Sequence, residues 1–213
     1  MRDAIKIAIL FLGLTVSCAW AASDVNTLLL RLETKMSGVK SIETDFTQEK
    51  MLSVFNQPII SKGKIFIQKP HLFSWHVRLP VRYTMLIKGD IIKQWDEESN
   101  HVQQFSLSRN PGFSIAIAQM KVWFSGAYVS LLKNYAVKII SENPVILEFV
   151  PIQSNPAFNL VKGVKVFFEK DERYLREIRI EEKSGDSTIL TFSSVKLNMP
   201  INPSAWELKP DVQ

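Results

Sequence analysis

Apolar and polar positions alternate along most of this chain with a period of two, and two stretches break into a helical period. Val25, Leu28, Leu29, Leu32 and Met36 recur at helical spacing, which predicts an amphipathic helix with one apolar stripe. Ser23-Asp24 in front of it suits an N-cap. Ser37-Gly38 behind it predicts an end with glycine in the left-handed region. From Ile42 the period shortens. Ile42, Thr44, Phe46 and Gln48 face one way and Glu43, Asp45, Thr47 and Glu49 the other, a strand with one solvated face. Strand-like runs follow at Ile59–Gln68, Leu72–Leu79, Tyr83–Lys88, Ile91–Asp96 and Val102–Leu107. Lys69-Pro70, Leu79-Pro80 and Lys88-Gly89-Asp90 separate them with turn chemistry.

Asn110-Pro111-Gly112 interrupts this pattern. Phe113 to Asn134 reads as helical with a break near Ser125-Gly126, and its first half is apolar on nearly every side. Such a segment must be covered from more than one direction. Strands resume at Tyr135–Ser141, Val145–Val150, Gly163–Glu169, Tyr174–Lys183 and Ser187–Val195. In the fourth of these, Tyr174, Ile178 and Ile180 are expected on one face and Glu177, Arg179 and Glu181 on the other. Three prolines around Trp206 predict an extended C-terminal strap over Pro200–Pro210. The fold class is therefore mainly β with helices: a single curved antiparallel sheet forming an unclosed barrel of about eleven strands. The N-terminal helix and the central helical segment are the candidates to cover its apolar face.

The first residues read as a leader. Arg2 and Lys6 precede a ten-residue apolar run, Ile7 to Val16, too short for an ordinary membrane-spanning helix. Ala19-Trp20-Ala21 then offers a small-x-small cleavage site. We expect residues 1–21 to be a signal peptide and residues 22–213 a single domain with a lid at about 113–134. The chain has 26 basic and 21 acidic residues, which becomes 24 against 20 once the leader is removed. Its one cysteine, Cys18, leaves with the leader, which suits an oxidising exported compartment. The alternative, a lipidated Cys18, lacks the usual large aliphatic residue three places before. Basic residues are interleaved with acids, so nucleic-acid binding is not expected.

Chemistry is sparse. There is no nucleophile elbow, no H-E-x-x-H and no glycine-rich phosphate loop. His71 and His76 are expected on opposite faces of a strand, a poor start for a metal site. Glu97-Glu98, Asp171-Glu172 and Glu181-Glu182 read as surface charge. We expect no catalytic residues, no metal and no cofactor. The aromatic and aliphatic load of the concave face is the unusual feature. Phe46, Phe66, Trp75, Val77, Met85 and Trp95, with Ile115, Met120, Trp123 and Phe124 of the central segment, are candidate lining residues of an apolar cavity. A closed hydrophobic core is the plainer alternative. Each methylene buried in such a cavity would contribute about 0.8 kcal/mol.

Phe46-Thr47-Gln48, followed by Gly63-Lys64-Ile65-Phe66-Ile67-Gln68-Lys69-Pro70-His71-Leu72-Phe73-Ser74-Trp75, resembles the LolA family of periplasmic lipoprotein carriers. Those proteins show F-T-Q, then G-x-[L/I]-[W/F]-[V/I]-x-[R/K]-P-x-L-F-x-W. The turn at Lys88-Gly89-Asp90 and the pattern from Asn159 to Val195 also fit, so the resemblance spans nearly the whole mature chain. It implies an unclosed antiparallel barrel with a helical lid over an apolar cavity. It further implies a monomeric, non-enzymatic periplasmic carrier that takes acylated lipoproteins from an inner-membrane exporter to an outer-membrane acceptor. By the resemblance, Lys69 stands where an arginine latches the lid and Phe73 where a phenylalanine handles cargo. Lysine lacks the planar fork of donors that arginine has. A weaker latch is therefore expected, with Lys69→Leu altering lipid retention little.

The aromatic richness of Ser108 to Asn134 leaves a glycolipid or other acyl lipid as an alternative cargo. A lipid-binding periplasmic sensor is a second alternative; such regulators usually add a further domain, and none is expected after Gln213. An enzyme on the same fold would draw on Lys69, His71, Tyr83 and Tyr128, and a plain interaction module would show no cavity.

Overall fold

The computed structural model describes residues 24–106, 120 and 122–209; the leader, most of 107–121 including Ile115, and the last four residues lie outside it. One helix, α1 (Val25–Ser37), precedes eleven strands. These are β1 (Ser41–Met51), β2 (Ile59–Gln68), β3 (Leu72–Leu79), β4 (Tyr83–Lys88), β5 (Ile91–Asp96) and β6 (Val102–Ser106), then β7 (Tyr135–Glu142), β8 (Val145–Pro151), β9 (Val161–Phe168), β10 (Leu175–Glu182) and β11 (Ser187–Leu197). All belong to one sheet in the order β6-β5-β4-β3-β2-β1-β11-β10-β9-β8-β7. Two antiparallel meanders are sewn together where β1 pairs with β11, Phe46 opposite Phe192. The sheet does not close, and β6 and β7 are its two edges. The connection between those edges is the central segment, which the topology carries from one lip of the open barrel to the other.

Alternation sorts the strands as expected. Ile42, Thr44 and Phe46 of β1 are buried on the concave side. Outward, Glu43 meets Lys64 at 3.3 Å and Lys196 at 3.0 Å, and Asp45 meets Lys64 at 3.1 Å. Burial raises the Glu43 pKa, but the two lysines outweigh it and hold the carboxyl below its ordinary value. In β10 the expected parity holds for Ile178 and Ile180 against Glu177, Arg179 and Glu181, and only Tyr174 departs from it. A register irregularity between Leu175 and Glu177 puts Leu175 and Ile178, three apart, both in the core, while Tyr174 lies before the strand. A bulge adds one residue and resets the faces beyond it.

Helix α1 buries Leu28, Leu29, Leu32 and Met36, its predicted stripe. Asp24 occupies the N-cap position without a side-chain capping bond. The C-terminal expectation is corrected: Gly38 is right-handed, with φ −76°. The left-handed residue is Asn198, φ 58°, which clamps the junction from the far end of the chain. Its amide donates to the Gly38 carbonyl (2.9 Å), and its oxygen accepts from the Lys40 N–H (2.7 Å). The strap is likewise not fully extended. Pro203–Trp206 forms a 3-10 turn, with the Asn202 side chain accepting from the Ser204 N–H.

Gly63 has no room for a side chain. A Cβ there would stand 1.8 Å from the His76 carbonyl oxygen and 2.9 Å from the Phe46 ring, because the β2–β3 register shifts between Lys62 and Gly63. We expect Gly63→Ala to cost about 3 kcal/mol of stability, read as a lowered urea midpoint; a loss below about 1 kcal/mol would show that the bulge accommodates a methyl group.

Candidate lipid site beneath the central segment

Strand pairing decides which candidate residues meet. Phe46 faces Gly63, Gly63 faces Val77, Ile65 faces Trp75, and Trp75 faces Met85. Directly opposed residues share a face, so Phe46, Trp75, Val77, Met85 and Phe73 all line the concave side. The Phe46 ring stands 4.7 Å from Trp75 and Phe73 stands 6.2 Å from it.

Phe66 and Trp95 stand on the opposite face, which corrects their placement in the cavity. Phe66 pairs with Ser74, and Trp95 with Thr84, itself opposite His76. The Ile65-Phe66-Ile67 run hides this because it is apolar at every position and carries no parity signal. On the convex side Phe66 packs edge-on to His76, and the Trp95 indole N–H donates to Asn100 (3.1 Å). Both line an open cavity of about 740 Å³ with Arg78, Arg82, Thr84 and Ser204, under the C-terminal strap.

Among the described residues, the covering segment lays aromatic rings on the concave side. Residues 122–125 are helical, Gly126 turns at φ 84°, and a 3-10 helix follows at Val129–Lys133. From this segment the Trp123 ring reaches 4.6 Å from Phe149. Phe124 lies 5.3 Å from Phe192 and 6.3 Å from Phe73, and Met120 packs at the margin of the same core. The space left between Phe124, Met36, Ile42 and Phe192 is about 10 Å³. Between these four residues, rings of the chain's own covering segment take the space that a preformed cavity would need. At the mouth a depression of about 220 Å³ remains, lined by Ile67, Lys69, His71, Phe73 and Phe124.

The covering segment is held by few polar bonds. The half-buried Lys69 ammonium donates to the carbonyls of Ser125 (2.9 Å) and Met36 (3.2 Å), and burial lowers its pKa. The Glu33 carboxylate accepts the Val129 N–H at 2.8 Å. Tyr128 is completely buried and donates to the Trp123 carbonyl at 3.0 Å; burial, with the Glu33 charge second, drives its pKa well up. Gly126 is required where it sits, since a Cβ there would come within 2.7 Å of Met36 Cβ.

Lys69 and His71 do share the mouth depression, but Lys69 is committed to two carbonyls. Tyr83 is half-buried, with its pKa raised by burial. Among the described residues, no group of three or more metal-capable side chains converges. One buried side-chain donor among them, the Trp75 indole N–H, has no partner. Such an orphan costs about 1–3 kcal/mol, and no feature of sequence pattern could have shown it.

A family model described as outer membrane lipoprotein carrier protein LolA matches residues 37–209. The chain belongs to the LolA family. It is a divergent LolA member: 23% identical over 197 residues to an outer-membrane lipoprotein carrier protein of Chromohalobacter salexigens, covering 92% of this chain and 90% of that one. To the protein of the same description from Coxiella burnetii it is 23% identical over 215 residues, 98% of this chain and 95% of the other. Among solved structures, MucB superposes with TM-score 0.54 at 12% identity, over 86% of this chain and 62% of MucB. The Pseudomonas aeruginosa MucA/MucB complex gives 0.52 at 12%, over 88% and 62%. At this identity the likeness concerns the LolA-like fold alone.

On the convex face, His76 pins the strap to the sheet. Its Nε2 lies 2.9 Å from the Ala205 carbonyl, which can only accept, so Nε2 carries the proton and Nδ1 faces the Thr84 hydroxyl at 3.3 Å. Burial lowers the His76 pKa, against the Ala205 bond, with the Arg78 charge adding to the fall. The unfolded chain therefore binds more protons below the ordinary histidine value, and stability falls as pH drops through it. Urea unfolding at pH 7.5 and 5.5 should show this loss, and His76→Gln should flatten it; an unchanged pH dependence in the variant would exclude His76 as its source.

Proposed function

We propose that this chain is a periplasmic carrier, exported by cleavage near Ala21. It takes the acyl chains of lipoproteins, or of a related lipid, from an inner-membrane exporter to an outer-membrane acceptor. It works as a monomer, without cofactor or catalysis. The observation that carries the reading is the origin of the rings that fill the concave side: Trp123 and Phe124 come from the segment joining the two free edges. They occupy the position a hydrocarbon chain would take. Withdrawing them uncovers Phe73, Phe149 and Phe192, the rings they pack against.

Magnitudes favour exchange. Exposing Trp123 and Phe124 costs roughly 1.5–3 kcal/mol each. A fourteen-carbon chain entering in their place contributes on the order of 10 kcal/mol. A modest surplus over the cost of opening suits a carrier, which must also release. The family description and the names of the relatives support this assignment.

Native mass spectrometry of the protein purified from its own host tests the reading. An acylated protein or lipid should be found bound; protein that arrives empty and takes up no acylated peptide would overturn it. In the same scheme Lys69 latches the closed, empty form through two carbonyls, more firmly than the lysine-for-arginine exchange suggests. A hydrogen bond to a charged group contributes about 1.5–3 kcal/mol. Lys69→Leu should therefore tighten binding of a fluorescent fatty acid about tenfold. A change below about twofold would remove the latch role.

A further inference from the structure

The unpaired indole N–H of Trp75 lies on the wall of the proposed acyl site, and we propose that it is a recognition donor for the carbonyl joining an acyl chain to its headgroup. This rests on the carrier reading and adds a chemical requirement to it: an ester or amide at the head of the chain, and not hydrocarbon alone.

The argument starts from what surrounds the donor. Trp75 is 4% exposed, so water does not satisfy Nε1. Its neighbours across the ladder are Ile65 and Met85, neither with a side-chain oxygen. The Phe46 ring stands nearly edge-on at 4.7 Å and interplanar angle 61°, and a π-face is at best a weak acceptor. The other polar side chain buried on this face near by, Thr44, spends its hydroxyl on the Asp45 and Ser193 carbonyls, both at 2.9 Å. Trp95, on the opposite face, has its N–H satisfied by Asn100. Only the indole that faces the acyl site is left without a partner among the described residues. Phenylalanine would furnish the same apolar wall without an orphan donor.

Access follows from the packing. The Phe73 ring neighbours both Trp75, at 6.2 Å, and Phe124, at 6.3 Å. When Phe124 withdraws, a chain lying along Phe73 comes within one ring of Trp75. A carbonyl oxygen has two lone pairs and accepts an N–H readily. An ether oxygen at the same position is a poorer acceptor and lacks the projecting geometry. The orphan donor is thus costly in the empty form and relieved in the loaded one, which makes the interaction favour binding of an acylated molecule over a merely apolar one.

The test compares a short-chain phosphatidylcholine carrying two eight-carbon ester-linked chains with its dialkyl ether counterpart, both as monomers in solution. The wild-type protein should bind the ester about tenfold more tightly, the value of one relieved buried donor. Trp75→Phe should reduce that preference to less than twofold. In the wild type, the Trp75 indole proton, assigned by its loss in Trp75→Phe or by selective labelling, should move downfield on adding the ester and stay put with the ether. Equal binding of ester and ether by the wild type, or a preference that survives Trp75→Phe, overturns the inference and leaves the carrier reading standing. Failure of the wild type to bind either molecule overturns both. Should Trp75→Phe fold poorly, the proton shift in the wild type decides alone.

Discussion

Everything in this molecule follows from an antiparallel sheet that curls without closing. Eleven strands give two apolar lips and a concave face too greasy to be left in water. The chain itself has to supply the cover. Because β6 and β7 are the two edges and are consecutive in the chain, their connection starts at one edge and ends at the other. Among its described residues, Trp123 and Phe124 lie on the concave side, against Phe149 and Phe192.

What that segment does depends on how it is fastened. Its apolar attachment is strong: two aromatic rings inserted among Phe73, Phe149 and Phe192. Among the described residues, its polar attachment lies where Lys69 meets the Ser125 carbonyl and Glu33 the Val129 N–H. An apolar fastening can be replaced by another apolar body of similar size with little net loss, since the hydrophobic effect is non-directional. Hydrogen bonds at the junctions set how readily the exchange begins. Gly126, turned to a positive φ against Met36, marks where the helical turn of 122–125 gives way to the following 3-10 helix.

The convex face uses different physics. It is half covered by the C-terminal strap, pinned by His76 to the Ala205 carbonyl, and it leaves a cavity with arginines at its rim. Aromatic residues there, Phe66 and Trp95, serve the strap and the loops. Phe66 and Trp95 thus stand among Lys64, Ser74, His76 and Thr84 on the convex side of β2 to β5, and one-residue alternation alone separates them from the concave rings.

The strand boundaries, the apolar stripe of α1, the break at Ser125-Gly126 and the unclosed eleven-stranded fold were all legible in the chain, because they rest on local periodicity and turn chemistry. So was the family, in the run from Gly63 to Trp75. Which aromatic rings share a chamber was not. Phe66 sits in an uninterrupted apolar run, and parity there comes only from pairing with β3. The left-handed Asn198 clamp and the right-handed Gly38 are likewise outcomes of partners 160 positions apart, which no local window contains. The packing of Trp123 against Phe149 and of Phe124 against Phe192 is also a tertiary fact. An apolar segment can roof a space or enter it, with the same residues at the same spacing, and close packing in three dimensions is what set these two rings inside.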